Sequence, residues 1–207
     1  MQIKKVLLLF LFSTASASVS PFVQLGVGTG GLITPNSVQS FSDDPSATFH
    51  NKKTLGSLAS VGLGVYFPIN QKIKVGTFWS VNSEPKNSYL VFSSQDTDQS
   101  ELKYSAFDWS ALALVDYSFN QYSAVTLSGG IDRRYQDLSI VSDNSTAKKS
   151  NAYTLPKIGL AFDYNFSSRL RGSFGYDYVF GHDLNKDNLN QGVSSSEMLF
   201  SVAYFFK

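Results

Sequence analysis

Gly26, Gly28 and Gly31 in the stretch LGVGTGGL fit G-x-G-x-x-G, the glycine spacing with which a backbone cradles a dinucleotide pyrophosphate. That chemistry requires a helix to open behind the glycines and hold the phosphate charge. The residues that follow, ITPNSVQSFSDDPSATF, carry Pro35 and Pro45 and no apolar residues at helical spacing. The glycines need another account. His50 and His182 are the two imidazoles available for acid–base work or metal ligation, and they lie far apart in long polar stretches. Neighbours of suitable type, Asp43-Asp44 and Asp183, are also ordinary loop residues. With no cysteine, the chain has no thiol chemistry, disulfide or Cys-ligated metal. No catalytic residue, metal or cofactor is therefore expected.

Any site must be positioned by the elements around it, and these begin after a leader. Lys4 and Lys5, the apolar run Val6 to Phe12, and Ala15-Ser16-Ala17 have the layout of a secretory signal peptide. Ala15 and Ala17 mark cleavage, giving residues 1–17 as leader and 18–207 as one barrel domain. The formal charge is +1, so nucleic acid is not an expected partner.

Beyond residue 20 the apolar residues recur with period two, the period of strands. Eight such segments follow one another: Phe22 to Gly30, Leu58 to Phe67, Lys72 to Asn82, Leu102 to Phe119, Val125 to Arg134, Lys157 to Asn165, Leu170 to Tyr178, and Glu197 to Phe206. Short connections at Pro68-Ile69-Asn70-Gln71, Asn120-Gln121 and Ser167-Ser168 alternate with long polar ones: Leu32 to Ser57, Ser83 to Glu101, Ile140 to Asn151 and Gly181 to Ser196. All long loops thus leave at one end. Ser88 to Ser94 and Lys103 to Phe107 are expected to pair and lengthen one hairpin. Asn144-Ser145-Thr146 fits a glycosylation acceptor and reads more simply as a loop tip.

One face of these segments is apolar and ends in aromatic pairs, Tyr66 with Phe67, Tyr117 with Phe119 and Tyr164 with Phe166. The other carries mid-strand charges. Strands cross lipid only as a closed barrel, apolar side outward, with aromatic girdles at the interfaces. The expected fold is all-β, a transmembrane eight-stranded antiparallel up-and-down β-barrel.

The carboxyl terminus MLFSVAYFFK, with Met198, Phe200, Val202, Tyr204 and Phe206 at alternate positions, resembles the terminal-strand signature of bacterial outer-membrane barrels. Lys207 extends one residue beyond the usual final aromatic. Together with the leader and eight strands, the chain resembles the small OmpA-like and Opa-like outer-membrane barrels of Gram-negative bacteria. The resemblance implies residence in the outer membrane with loops facing outward, contact with outer-membrane lipid and lipopolysaccharide, periplasmic chaperones, and recognition of the last strand by the barrel-assembly machinery. It also implies a monomer.

The interior of an eight-stranded barrel is just wide enough for side chains, so it is expected to be a packed polar core in which charges pair. A three-residue turn Phe166-Ser167-Ser168 sets Asn165 opposite Arg169, Asp163 opposite Arg171, Gly159 opposite Gly175 and Lys157 opposite Asp177, with Phe162 facing Gly172 and Leu160 facing Phe174 outside. Asp108 with Arg134 is a further candidate pair. Gly26, Gly28, Gly30, Gly62, Gly64 and Gly76 share the inner face and are expected to leave room for Arg171, Lys157 and Arg134 reaching across.

Loops on a rigid scaffold suit recognition, which favours a structural or envelope role, or an adhesin-like surface interaction with host or environment, through four external loops. The alternatives are porin-like transport of small solutes or apolar molecules through a narrow path, and a lipid-modifying enzyme. A lipid A deacylase-like site needs a strand His with Ser and an acid facing lipid, and an omptin-like site needs Asp and His pairs at the mouth. The strands supply no such set.

Overall fold

The computed structural model describes residues 19–32, 48–51, 56–92, 99–142, 145–182 and 192–206. The leader, with Ala15 and Ala17, lies outside the described residues, as do Asp43, Asp44, Asn144, Asp183 and Lys207.

Among the described residues nine strands form: β1 (Ser20–Leu32), β2 (Thr48–Asn51), β3 (Gly56–Pro68), β4 (Ile73–Phe92), β5 (Gln99–Ser118), β6 (Ser123–Ser142), β7 (Ser145–Asn165), β8 (Leu170–Val179) and β9 (Ser195–Phe205). All but β2 make a wall in which each strand pairs antiparallel with its neighbour, and β1 with β9 closes it. This is an eight-stranded antiparallel barrel. Closure pairs each wall strand on both sides along the girdled part of the barrel, the condition for standing in lipid.

The alternation seen in sequence becomes inside and outside. Leu25, Val27, Leu63, Trp79, Leu127, Leu160, Phe162 and Phe200 point outward and are exposed. Toward the short turns this belt ends in Tyr117, Phe119, Tyr122, Tyr164, Phe166, Tyr204 and Phe206, several of them edge-on in pairs such as Tyr117 with Phe119 at 5.4 Å. Such a girdle suits a bilayer interface. Tyr66 is not part of it. It faces inward and is 4% exposed, because its phase matches that of Gly62 and Gly64.

The three short turns share one construction. Ile69, Phe119 and Phe166 each donate a backbone N–H to the carbonyl four residues on. The next side chain, Asn70, Asn120 or Ser167, accepts backbone N–H groups two and three residues ahead. These are side-chain-mimicked turns, the reason Asn and Ser occupy those positions. The Ser167 turn delays pairing by two residues relative to a three-residue turn. Asn165 therefore faces Arg171, Asp163 faces Ser173, Gly159 faces Asp177, Lys157 faces Val179, and Phe162 faces Phe174 outside. The expected partners were two residues out of register, while every residue kept its face, since a shift of two preserves the pleat.

The opposite rim is uneven. β4 to β7 run 20 or 21 residues, whereas β1 and β3 run 13 and β8 and β9 run 10 and 11. The stretches expected as the second and third loops are thus largely strand, and β6 and β7 stay paired up to Ser142 with Ser145. Ser88 does face Lys103, and past a bulge between Glu84 and Asn87 the extra pairing runs on through Phe92 with Gln99; Phe107 pairs with Ser83 below the bulge, and Ser94 lies outside the described residues. Within the first expected loop β2 adds to β4, and His50 pairs there with Leu90. At the other margin β8 meets β7 only from Lys157 onward, so Ser145 to Leu155 has β6 on one side and no paired strand on the other among the described residues.

Candidate functional site

The lumen holds two charged clusters with an apolar layer between them. Nearest the short turns, Arg171 of β8 donates from Nη1 to Asp116 at 2.6 Å and from Nε to Asn165 at 2.9 Å, and its Nη1 lies 3.5 Å from Asp163. Thr126 and Ser173 donate to Asp163, and Lys74 stands 3.9 Å from Asp116. The guanidinium lies over the Tyr66 and Phe205 rings at 5.7 and 5.3 Å. Two cations face two carboxylates, and Arg171 and Asp163 are diagonal neighbours instead of directly opposed.

Above this group Phe22, Tyr66, Leu112, Leu114 and Ala203 pack with Phe78 and Phe205. Phe22 stacks with Tyr66 at 5.2 Å and with Phe78 at 5.7 Å. Here the expectation of a polar interior fails. The glycines explain how so many rings fit: Phe22 and Phe78 both lie opposite Gly64, and Tyr66 lies opposite Gly76. A Cβ on Gly64 would run into the Phe22 ring and one on Gly62 into Phe78, while Leu199 fills the space at Gly26 and Glu84 that at Gly30. At Gly28 the obstacle is the Met198 carbonyl. The room left by these glycines is taken by neighbouring side chains and backbone, not by Arg171, Lys157 or Arg134.

The second cluster sits toward the tall rim. Arg134, fully buried, bonds Glu197 at 2.6 Å, Asp132 at 3.1 Å, Tyr104 at 3.2 Å and Ser195, with Asp108 at 3.8 Å. Lys157 reaches Glu197 at 2.6 Å and Asp177 at 3.3 Å. Asn82 donates to Asp108 Oδ1 at 2.6 Å. Five carboxylates (Glu84, Asp108, Asp132, Asp177 and Glu197) thus share two cations. Both Glu84 oxygens and Asp108 Oδ2 are buried without a hydrogen bond among the described residues. Higher still, Leu102, Leu138, Val179 and Val193 are buried at the mouth. Val193 is held there by its N–H to Gln136 and by a backbone bridge to His182.

Glu197, the carboxylate that ties Arg134 to Lys157, was placed on the inner face by its phase but not named in a pair. Its partners lie 63 and 40 residues away, across the lumen. The side chains therefore form an inward-facing brace, and between the two clusters a cavity of about 90 Å³ remains. Among the described residues no three His, Asp or Glu side chains are grouped to hold a metal. His182 is exposed and engaged through its backbone. The terminal-strand residues Met198, Phe200, Val202, Tyr204 and Phe206 all project outward.

No protein-family model matches the sequence, and no curated protein matches it. Among solved structures, the chain is similar to the outer membrane protein OprG from Pseudomonas aeruginosa, at 12% identity over 93% of this chain and 98% of that one, with a TM-score of 0.54. Similarity extends to Ail, the attachment invasion locus protein of Yersinia pestis, at 14% identity over 90% and 98% and a TM-score of 0.47. Neisserial surface protein A is similar at 12% identity over 91% and 99%, with a TM-score of 0.45. At these identities the likeness concerns the fold. Girdled apolar belt, closed eight-strand wall and short turns at one end give this chain the fold of the small bacterial outer-membrane barrels.

Proposed function

We propose that the protein is an outer-membrane barrel, the short turns in the periplasm and the tall rim outside, that works through its external surface and not as a pore. The observation that carries this reading is the filled lumen. Buried aromatic and aliphatic side chains occupy its middle, bonded ion clusters flank them, and the cavity between the clusters is about 90 Å³, room for a few waters, while a wider recess of about 400 Å³ at the short-turn end is bounded by Tyr66, Arg171 and Phe205. Meanwhile β4 to β7 stand roughly ten residues taller than β8 and β9, by comparison of their lengths. That rigid extension carries the connections that would meet a host or environmental ligand. Envelope support and adhesion both use this surface. The lipid-modifying alternative has no exposed His, Ser and acid set among the described strands to support it.

Planar-bilayer recording tests the pore question: silence is expected, and discrete reproducible openings would favour solute transport. Binding of cells or matrix by the intact protein, lost when the connections above β4–β7 are shortened, is the outcome expected of a surface-contact protein. Unchanged binding after shortening would refute the assignment to that rim.

A further inference from the structure

We propose that the upper lumen cluster binds a hydrated divalent cation between Glu84 and Glu197. The site lies inside the wall and is independent of what the external rim contacts.

Among the described residues the cluster sets five carboxylates, Glu84, Asp108, Asp132, Asp177 and Glu197, against the two cations Arg134 and Lys157. Three negative charges are left over, and every member except Asp177 is at most 2% exposed. Buried ions left uncompensated acquire a partner or a proton. The lower cluster has no such surplus, since Lys74 and Arg171 meet Asp116 and Asp163 there. Placement shows where the missing charge belongs. Both Glu84 oxygens are buried without a hydrogen bond among the described residues. The Glu84 carboxylate occupies the position a Cβ on Gly30 would take, and Gly30 stands directly opposite Glu197 across the seam of β1 and β9. Opposed residues have Cβ positions about 5 Å apart, so Glu84 reaches, from two strands away, the rung on which Glu197 stands. Like charges meeting there repel each other unless a cation lies between them.

Glu197 accepts from Arg134 on Oε1 and from Lys157 on Oε2, but a carboxylate offers about four lone-pair sites, so its oxygens can still face an ion. Asp108 Oδ2, also buried without a hydrogen bond, lies 3.8 Å from the same guanidinium and adds its charge from β5. A set of donors made only of oxygen selects hard cations. Among the described residues no three carboxylates are grouped into a cage. An ion here therefore keeps part of its water, the manner in which a divalent ion is held by one or two carboxylates. That water has a place, because Glu197, Asp177 and Asn82 line the cavity of about 90 Å³, which has room for a few waters. The Asp177 side chain, 25% exposed, joins the cluster to it.

The test uses the full mature chain refolded in detergent and stripped with EDTA, then titrated with calcium or magnesium chloride against sodium chloride at matched ionic strength. The urea midpoint of heat-modifiable migration and native mass spectrometry are the readouts. With a partial protein shell, half-saturation by calcium is expected at roughly 0.1–1 mM, the range of extracellular calcium modules. Above it, each tenfold rise in the ion should lift the midpoint by a constant step, the signature of a ligand bound by the folded state alone. One ion per chain should appear as an adduct. Glu84→Gln should fold, start from a higher midpoint in EDTA, and lose both the step and the adduct. Asp108→Asn, a second variant that removes surplus charge, should raise the half-saturating concentration several-fold. Glu101→Gln removes the same charge at the rim and should keep both signals. An equal response to sodium chloride, an adduct retained by Glu84→Gln, unchanged half-saturation in Asp108→Asn, or equal loss in Glu101→Gln would each overturn the proposal. So would a midpoint that follows pH between about 6 and 8 but ignores calcium and magnesium, because protons would then neutralise the surplus.

Discussion

The two ends of the lumen solve the same problem differently. Near the periplasmic turns Arg171 and Lys74 face Asp116 and Asp163, with Thr126, Ser173 and Asn165 supplying further hydrogen bonds. Toward the exterior five carboxylates share Arg134 and Lys157, and three carboxylate oxygens there make no hydrogen bond among the described residues. A buried charge is tolerated when its partners also satisfy its hydrogen bonds. The lower cluster meets that condition; the upper one depends on a single arginine that ties three acids together. Charge balance, more than burial, distinguishes the two ends.

The contrast can be broken hardest at its hub. Arg134→Leu leaves Asp108, Asp132 and Glu197 together without their shared cation, and should cost at least the ~3–5 kcal/mol of breaking a buried ion pair. Urea titration in detergent, followed by heat-modifiable migration, reads that loss; a midpoint equal to wild type would remove Arg134 from its central role. Arg171→Leu should cost less, near the lower end of that range at about 3 kcal/mol, because Lys74 remains beside Asp116 and Thr126 and Ser173 still bond Asp163. If Arg171→Leu proved the more damaging, the ranking of the clusters would reverse.

Sharpening comes from the opposite sign. Glu84→Gln removes one negative charge from the overcharged end and supplies donors to a site with no bonded acid oxygen. It should stabilise by about 1 kcal/mol, on the scale of one net hydrogen bond, seen as a higher denaturant midpoint. Destabilisation would mean that the Glu84 charge itself is needed by Arg134. The smallest effect belongs to Lys74→Met, since that side chain is about a third exposed and 3.9 Å from its partner. Its midpoint should move by well under 1 kcal/mol, and a shift comparable to Arg171→Leu would show that the lower cluster has two indispensable cations.

Face assignment was legible in the sequence because a strand's period leaves no third option. Asp163, Arg171, Lys157, Asp108 and Arg134 were all placed inside by phase, and all are buried, whereas Tyr66, counted with the outer aromatic pairs, faces inward. What phase does not report is which interior residues meet. Rings opposite glycines convert an expected polar interior into an apolar layer, and that depends on register between strands, Phe22 with Gly64 for example. Register in turn hung on whether Ser167 closes a three-residue turn or caps a longer one. Long-range bonds such as Lys157 with Glu197 cross the lumen, so neither strand adjacency nor spacing foretells them.

The upper margin of β7 adds a consequence for crowding. From Ser145 to Leu155 its backbone presents alternating donors and acceptors with no neighbouring strand among the described residues. Such a margin is a template for sheet growth between molecules, and lateral packing in a membrane would bring two of them together. Lys148 and Lys149 are exposed on that stretch, so copies meeting margin to margin would oppose like charges. Like charges on Lys148 and Lys149 would thus oppose any strand-to-strand approach of two copies along this stretch.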